Sequence, residues 1–445
     1  MPDRAGVRPV KRLFHFRAAN LPARPFCRIG SIHKLRLSLK PDPSDFSGFL
    51  KPPAGTLPQV VEGLYLHVPF CHSICPFCAF AVHGDRPGLH GPYLTALEVE
   101  ARRRAGDTTA PPGGVSSVYV GGGTPSSLSL AEIRRLLRGV RSCFPFAPDA
   151  EVALELNPED AVPETLQGLA ELGINRVSVG VQSLDGGALA ALGRRHRPRH
   201  GMSALEALAG LSGKGGRPDN FNVDLMFGAP FTAPGVFFSD VETVLTFRPS
   251  HISLYGLDLE PGTLLARNPG VRDWAAAHQG MMADQYLWAA ERLTAQGYLH
   301  YEVSNFCLPG REGRQNLLVW GGGTYLGLGP GSHSFGGKAR WHNPRHLKSW
   351  LKGVHGGGDP ADFWEAPTPA QRANEALMLA LRQKAGLNIP VWEADHGFAW
   401  GEERDLLAHA LADRGQAGYS GGRLALTPQG FLLADEITVR LAVPV

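Results

Sequence analysis

Six short apolar runs recur along the chain, at 64–68, 117–120, 151–156, 176–181, 221–227 and 251–257. Each is apolar over all or nearly all of its length, the pattern of a strand buried on both faces of a parallel sheet. Stretches with helical spacing alternate with them, at 93–104, 130–141, 163–172, 186–193, 202–211 and 234–247. Six successive βα units predict an α/β fold built on a partial (β/α)6 barrel, where reactive groups gather at the C-terminal ends of the strands. The polar motifs of this chain follow directly on its apolar runs, in agreement with that placement.

After about residue 261 the pattern changes to longer helical spacings and Gly-rich connectors, which marks a second, mostly helical part. The tail predicts two helices, 371–383 and 402–414, and a short hairpin at 419–426 with a Gly-Gly turn. Helix, helix and hairpin make a small winged-helix-like module, but no basic recognition face accompanies it, so a lid or docking role suits it better than DNA binding. The expected division is a basic, disordered extension over 1–55, the barrel over 56–260, a connecting region over 261–367 and the helical, winged module over 368–445.

Composition narrows the class. A chain of 445 residues with 43% hydrophobic content can bury a sizeable core, and no apolar run has the length of a membrane span. The net charge of +3 conceals an asymmetry, since residues 1–50 carry ten Lys/Arg against three Asp/Glu. The body is therefore slightly acidic and gives no electrostatic argument for nucleic acid. The basic leader suits a transit segment or a tail. Its scattered prolines, Pro9, Pro22, Pro25, Pro41 and Pro43, oppose a long amphipathic helix and favour a disordered extension without a part in the chemistry.

Chemistry enters with three cysteines in eight residues, Cys71, Cys75 and Cys78, directly after the first apolar run. Six Cys in the whole chain indicate a reducing compartment and argue against disulfides. The triplet can hold three corners of an iron–sulfur cube, leaving one iron open to a small molecule. A Cys3His zinc site completed by His67, His72 or His83 is the rival, although structural zinc sites usually show paired knuckles and none is present here. Cys27, Cys143 and Cys307 have no partner at ligand spacing and read as ordinary thiols. The second apolar run closes on Gly121-Gly-Gly-Thr-Pro125, whose backbone N–H groups can approach a ligand closely. No Gly-Lys-Ser/Thr follows, which disfavours a nucleotide P-loop. Later runs end in Glu155-Leu-Asn157-Pro158, Gly180-Val-Gln182-Ser183 and Asn222-Val-Asp224, side chains able to hold hydroxyl, amino or ribose groups. Arg194, in a basic cluster, can clamp a carboxylate.

Taken in order, Tyr65-Leu-His-Val-Pro-Phe-Cys71-x3-Cys75-Pro-Phe-Cys78, Gly121-Gly-Gly-Thr-Pro125, Glu155-x-Asn-Pro, Gly-Val-Gln182-Ser and Asp224-Leu-Met-x-Gly closely resemble the radical S-adenosylmethionine proteins related to oxygen-independent coproporphyrinogen III oxidase. The likeness spans residues 60–440. It implies a radical-SAM barrel in which Cys71, Cys75 and Cys78 ligate a [4Fe-4S] cluster and S-adenosylmethionine chelates the open iron. Tyr65, Phe77, Gly122, Gly123, Thr124, Glu155, Gln182, Arg194 and Asp224 match the cofactor-contacting positions. Reductive cleavage of a sulfonium needs an electron from the low end of the cluster range, which reaches about −700 mV.

Two branches of that family matter. The oxidase branch has a further Cys two residues after the third cluster ligand, where the heme-chaperone (HemW-type) branch has Phe; here Phe80 stands there. The chain therefore looks like the chaperone branch, which implies heme as cargo, heme-accepting proteins such as respiratory apoproteins as partners, a cytoplasmic location and no coproporphyrinogen oxidase activity. A homodimer is left open, as is catalytic cleavage of S-adenosylmethionine. The branch's His-Asn-x-x-Tyr-Trp element, associated with heme, corresponds to Gln315-Asn-Leu-Leu-Val-Trp320, where Gln315 replaces the His and Val319 the Tyr. Glutamine is a poor substitute for imidazole at iron. His333, in the Gly-rich stretch Gly327-Leu-Gly-Pro-Gly-Ser-His333, is then the first candidate ligand, ahead of His342 and His346. The alternatives are an authentic oxidase and a radical enzyme acting on another substrate.

Overall fold

The computed structural model describes residues 60–211 and 220–445; the basic leader and Cys27 lie outside them. Six parallel strands follow the six apolar runs: β1 (Gly63–Val68), β2 (Val115–Gly122), β3 (Phe146–Leu156), β4 (Arg176–Gln182), β5 (Asn220–Phe227) and β6 (His251–Gly256). They lie side by side in chain order, each paired in parallel with the next. Helices α1 (His90–Asp107), α2 (Leu130–Cys143), α3 (Pro163–Glu171), α4 (Gly186–Ala191), α5 (Pro198–Leu211) and α6 (Pro234–Thr246) occupy the intervals. All six βα units expected from the sequence are present.

The reason is legible at single elements. Leu64, Leu66 and Val68 of β1 are fully buried on one face of the pleat. The alternate residues Tyr65 and His67 turn to the other face, where Tyr65 stacks on its register partner Tyr119 with ring centroids 6.2 Å apart. Helix α2 opens on a capping box, the Ser129 hydroxyl accepting from Glu132 N and the Glu132 carboxylate accepting from Ser129 N at 2.8 Å. It then buries Ile133, Leu136, Leu137 and Val140, a stripe at i, i+3, i+4 and i+7, each side chain contributing about 1.5–3 kcal/mol.

The sheet extends beyond the expected six. Residues 261–367 supply β7 (Leu299–Glu302), β8 (Asn305–Cys307), β9 (Tyr325–Leu328), β10 (His333–Phe335), β11 (Arg340–His342) and β12 (Phe363–Glu365), giving twelve strands in the order β12-β11-β10-β9-β1-β2-β3-β4-β5-β6-β8-β7. Strand β9 pairs in parallel with β1 on its free side, so the parallel part numbers seven. Its sequence reads as a Gly-rich loop because Gly327 belongs to it. A side chain at Gly327 would fall on the His333 carbonyl, where the chain doubles back from β9 into β10.

The tail holds helices Pro369–Leu381 and Gly401–Asp413 with strands Ala417–Ser420 and Arg423–Leu426, near the expected positions. Between them lies an unexpected helix, Ile389–His396, capped by Asn388 with Pro390 in its first turn. Strand Leu387–Asn388 completes a three-stranded sheet with the hairpin. Among the described residues no helix is long and apolar enough to cross a membrane.

The two ends of the parallel sheet differ. At the N-terminal ends, here the floor, helix Arg314–Trp320 donates Arg314 N to Glu151 at 2.9 Å and receives a hydrogen bond from Ser117 Oγ to Gln315 Oε1 at 2.9 Å. At the C-terminal ends, the rim, the cysteine-bearing segment folds over the strands.

Candidate functional site

Directly after β1 the chain makes a two-residue strand, Phe70–Cys71, paired in parallel with His83–Gly84, so that the intervening loop is closed at its root. Further bonds tie that root to the neighbouring strand end, Gly123 N to Val68 O and Thr124 N to Phe70 O, both 2.7 Å. A Cβ at residue 123 would lie 2.7 Å from the Phe70 carbonyl oxygen. Gly123 thus lets the β2 turn sit against the cysteine segment, a packing reason for a glycine that the sequence alone assigned to ligand approach.

Cys71 is buried, Cys75 and Cys78 are half-buried, and none is in a disulfide. Burial pushes the Cys71 thiol up to about 11 and raises Cys78 as well. Side-chain donors reach two of the sulfurs, Thr124 Oγ1 to Cys71 Sγ at 3.5 Å and Arg194 Nη1 to Cys75 Sγ at 3.2 Å, and the Phe80 backbone bonds the third, Cys78. Arg194 also donates through Nη2 to Gly180 O at 3.0 Å and Asn157 Oδ1 at 3.2 Å, while its buried Nε has no partner among the described residues.

The histidines of the zinc alternative are engaged elsewhere. His67 bonds Tyr65 OH at 3.0 Å and Ala81 O at 2.8 Å, His72 pairs with Asp85 at 2.9 Å, and His83 bonds Gly84 O at 2.7 Å. Among the described residues no three His, Cys, Asp or Glu groups converge on a single metal-ion position.

Below the loop, inside the strands, stand two carboxylates. Glu155 accepts from Tyr119 OH at 2.8 Å and from Gly122 N at 3.1 Å. Burial, with a contribution from the Asp224 charge, pushes it up to about 7 against those hydrogen bonds. Burial also raises Asp224, which accepts from Asn222 Nδ2 at 2.7 Å and Ser178 Oγ at 3.2 Å. Gln182 ends β4 in the left-handed region at φ 62°, beside a break in the β4–β5 register. Phe77 leaves the cysteine loop to pack with Leu192, Met226, Leu257 and Leu265 over the rim. The structure therefore gathers Phe77, Gly122, Gly123, Thr124, Glu155, Gln182, Arg194 and Asp224 at the C-terminal ends of the strands around the cysteine loop, with Tyr65 just inside.

The heme candidates separate. Gln315 is buried in the floor, at the opposite end of the strands from the cysteines. His333 opens β10 opposite His342, ring centroids 4.9 Å apart, and His342 stacks on Phe363 at 5.0 Å. This row adjoins the cysteine loop: Arg345 donates to Ala79 O, and the Gly331 turn rests on Ala81. His346 caps the helix Leu347–His355 without a side-chain capping bond. Asn157 and Tyr119 contact the site residues directly, although the sequence assigns neither to the cofactor. Asn157 was visible only as part of the Glu155-x-Asn-Pro motif, and Tyr119 only as an apolar strand position.

Comparison with known proteins places this geometry. The Radical SAM superfamily profile matches residues 65–231. A heme chaperone HemW of Mycobacterium tuberculosis is 37% identical over 394 residues, 87% of this chain and 96% of that protein. The HemW of Bacillus subtilis is 29% identical over 85% of this chain and 98% of its own length. That of Escherichia coli is 34% identical over 64% of this chain and 72% of its own length. Among solved structures, coproporphyrinogen III oxidase (HemN) from Escherichia coli, described as a radical SAM enzyme, superposes with a TM-score of 0.72 at 23% identity, covering 87% of this chain and 91% of that one. That likeness is one of fold.

Proposed function

This chain belongs to the HemW family and carries a radical SAM domain, and from that premise we propose that it binds heme and delivers it to acceptor proteins, respiratory apoproteins among them, in the cytoplasm. Cys71, Cys75 and Cys78 hold a [4Fe-4S] cluster and leave one iron to S-adenosylmethionine. The fit rests on the donor set: three thiols on one loop, with side-chain hydrogen-bond donors on Cys71 and Cys75 and a backbone donor on Cys78. Coordination supplies what burial opposes, since iron holds a buried thiol as thiolate. When bound, the cluster supplies a low-potential electron to the sulfonium.

The chain's own residues bind and orient. Arg194 has an unpartnered Nε, a donor aimed at no protein acceptor, which suits the carboxylate of S-adenosylmethionine. Glu155 and Asp224 suit its amino and ribose hydroxyl groups. Gly122, Gly123 and Thr124 line the methionine end with their N–H groups committed to Glu155, Val68 and Phe70, and Tyr65, Phe77 and Gln182 wall the site and keep water from it.

The observation that carries the chaperone reading over an oxidase is the near-full-length likeness to heme chaperones, together with Phe80, which is 51% exposed where the oxidase branch has a further Cys. His333 is the iron ligand of this reading, supported by its place in the imidazole row beside the cysteine loop. The test is anaerobic incubation of the reconstituted protein with coproporphyrinogen III and S-adenosylmethionine, and in parallel of its heme complex with a heme-free acceptor. The expected result is heme transfer without stoichiometric decarboxylated porphyrinogen; such product would establish the oxidase instead.

A further inference from the structure

Asn157 lies outside the positions that the motif resemblance gives to the cofactor, yet it stands between two of them. Its Nδ2 donates to Thr124 Oγ1 at 3.5 Å, and its Oδ1 accepts from Arg194 Nη2 at 3.2 Å. Beyond these, Thr124 reaches the sulfur of Cys71 and Arg194 that of Cys75. The result is a closed bracket, Cys71, Thr124, Asn157, Arg194, Cys75, drawn from the segments that follow β1, β2 and β3 and from the loop after α4. We propose that Asn157 is a positioning residue that fixes hydrogen-bond donors on the Cys71 and Cys75 thiolates and thereby sets the reduction potential of the cluster they hold. This inference rests on the cluster reading proposed above.

The polarity of the bracket leaves no free choice. A guanidinium has donors only, so the amide oxygen of Asn157 must face Arg194 and its NH2 must face Thr124. The threonine oxygen accepts that N–H, and its single O–H is then directed at Cys71. Thr124 is 6% exposed, which removes water as an easy competitor for the hydroxyl. Hydrogen bonds to sulfur are among the determinants of an iron–sulfur potential, and donors held by outer partners keep their aim through the redox change. A purely structural Asn157 would alter stability and cluster content and leave the potential where it was.

The experiment is a mediator-poised titration of the reconstituted cluster in the absence of S-adenosylmethionine, followed by the paramagnetic signal of the reduced form, with iron and sulfide content measured alongside. Asn157→Leu removes the amide without adding charge, Thr124→Val removes the donor to Cys71, and Thr124→Ser keeps it. Asn157→Leu and Thr124→Val are expected to lower the potential, so that the reduced fraction at a fixed poise above the midpoint falls about tenfold, about 59 mV for a one-electron couple. Thr124→Ser is expected to titrate as the wild type. The double variant Asn157→Leu/Thr124→Val is expected to fall short of the sum of the single shifts, because Asn157 acts partly through Thr124. A cluster-replete Asn157→Leu with an unshifted potential overturns the inference and leaves the cluster reading standing. If Asn157→Leu does not fold, equal potentials in Thr124→Val and Thr124→Ser overturn it. A wild type that assembles no cluster overturns both.

Discussion

The floor and the rim of the parallel sheet are both lined with polar side chains, and the clusters around Arg176 and His251 on the floor differ from Arg194 on the rim in how far they are satisfied. On the floor, Arg176 pairs with Glu151 at 3.6 Å and donates to Asn220 at 3.1 Å. His251 bonds Asn222 Oδ1 at 2.6 Å and Tyr301 OH at 2.8 Å, and Tyr301 accepts from Asn316 Nδ2 at 3.2 Å. Since Asn222 donates its NH2 to Ser178 and Asp224, its oxygen faces His251, whose Nδ1 must carry the proton; burial, reinforced by Arg176, keeps that ring neutral. On the rim, the Arg194 guanidinium donates to a thiol, an amide and a carbonyl, and its buried Nε has no partner among the described residues. Polar groups that close on each other hold a fold, and polar groups left open await a ligand. Gln315, despite its place in a family element, is a poor candidate for cargo because its oxygen already serves Ser117.

The contrast can be broken most severely at the cysteines. Cys71→Ser, Cys75→Ser and Cys78→Ser are each expected to abolish assembly of a stable cluster, read as iron and acid-labile sulfide per chain, while far-UV circular dichroism stays native. Retained stoichiometric iron in any of them would remove that residue from the site.

On the floor, Arg176→Met leaves Glu151 buried without its partner and is expected to cost about 3–5 kcal/mol in urea unfolding, with cluster content unchanged at low denaturant. Loss of cluster with full stability would mean that the two ends are not separate.

A third effect depends on pH. Glu155 has its carboxyl raised to about 7 in the folded protein, as does Glu302, well above an unfolded carboxyl. Between roughly pH 4.3 and 7 the unfolded chain has released these protons and the folded chain still holds them, so stability falls as pH rises through that window and levels off above it. Each group gives a slope of at most about 1.4 kcal/mol per pH unit. Glu155→Gln is expected to remove one share of the slope and leave that of Glu302, as measured by urea midpoints across the window; an unchanged slope would remove Glu155 from the list of raised carboxyls. The smallest effect is at the α2 cap, where Ser129→Ala is expected to cost about 1 kcal/mol without touching either end.

How far the sequence shows these things follows from the range of the interactions. The six βα units are visible because their signals are local: continuous apolar runs, a capping box, a stripe such as Ile133, Leu136, Leu137 and Val140. Strand β9 is hidden because Gly327 answers to a close approach by His333, a contact no window of β propensity contains. Helix Ile389–His396 is hidden because Pro390, which ends helices elsewhere, here occupies the first turn. At the rim, the cysteine spacing and the glycine turn are motifs of neighbours in sequence. The bracket through Asn157 joins residues from four separate segments, and its donors and acceptors become distinguishable only once Arg194 is seen to face the amide oxygen.

The most direct measurement is a heme titration of the anaerobically reconstituted protein, followed by Soret absorption, in the wild type, His333→Ala and Gln315→Ala. The account predicts saturable binding at micromolar or tighter affinity, about −8 kcal/mol or better, lost or shifted to another ligand's spectrum in His333→Ala and retained in Gln315→Ala. Binding that survives in His333→Ala with an unchanged spectrum and disappears in Gln315→Ala would put the cargo at the floor and contradict it.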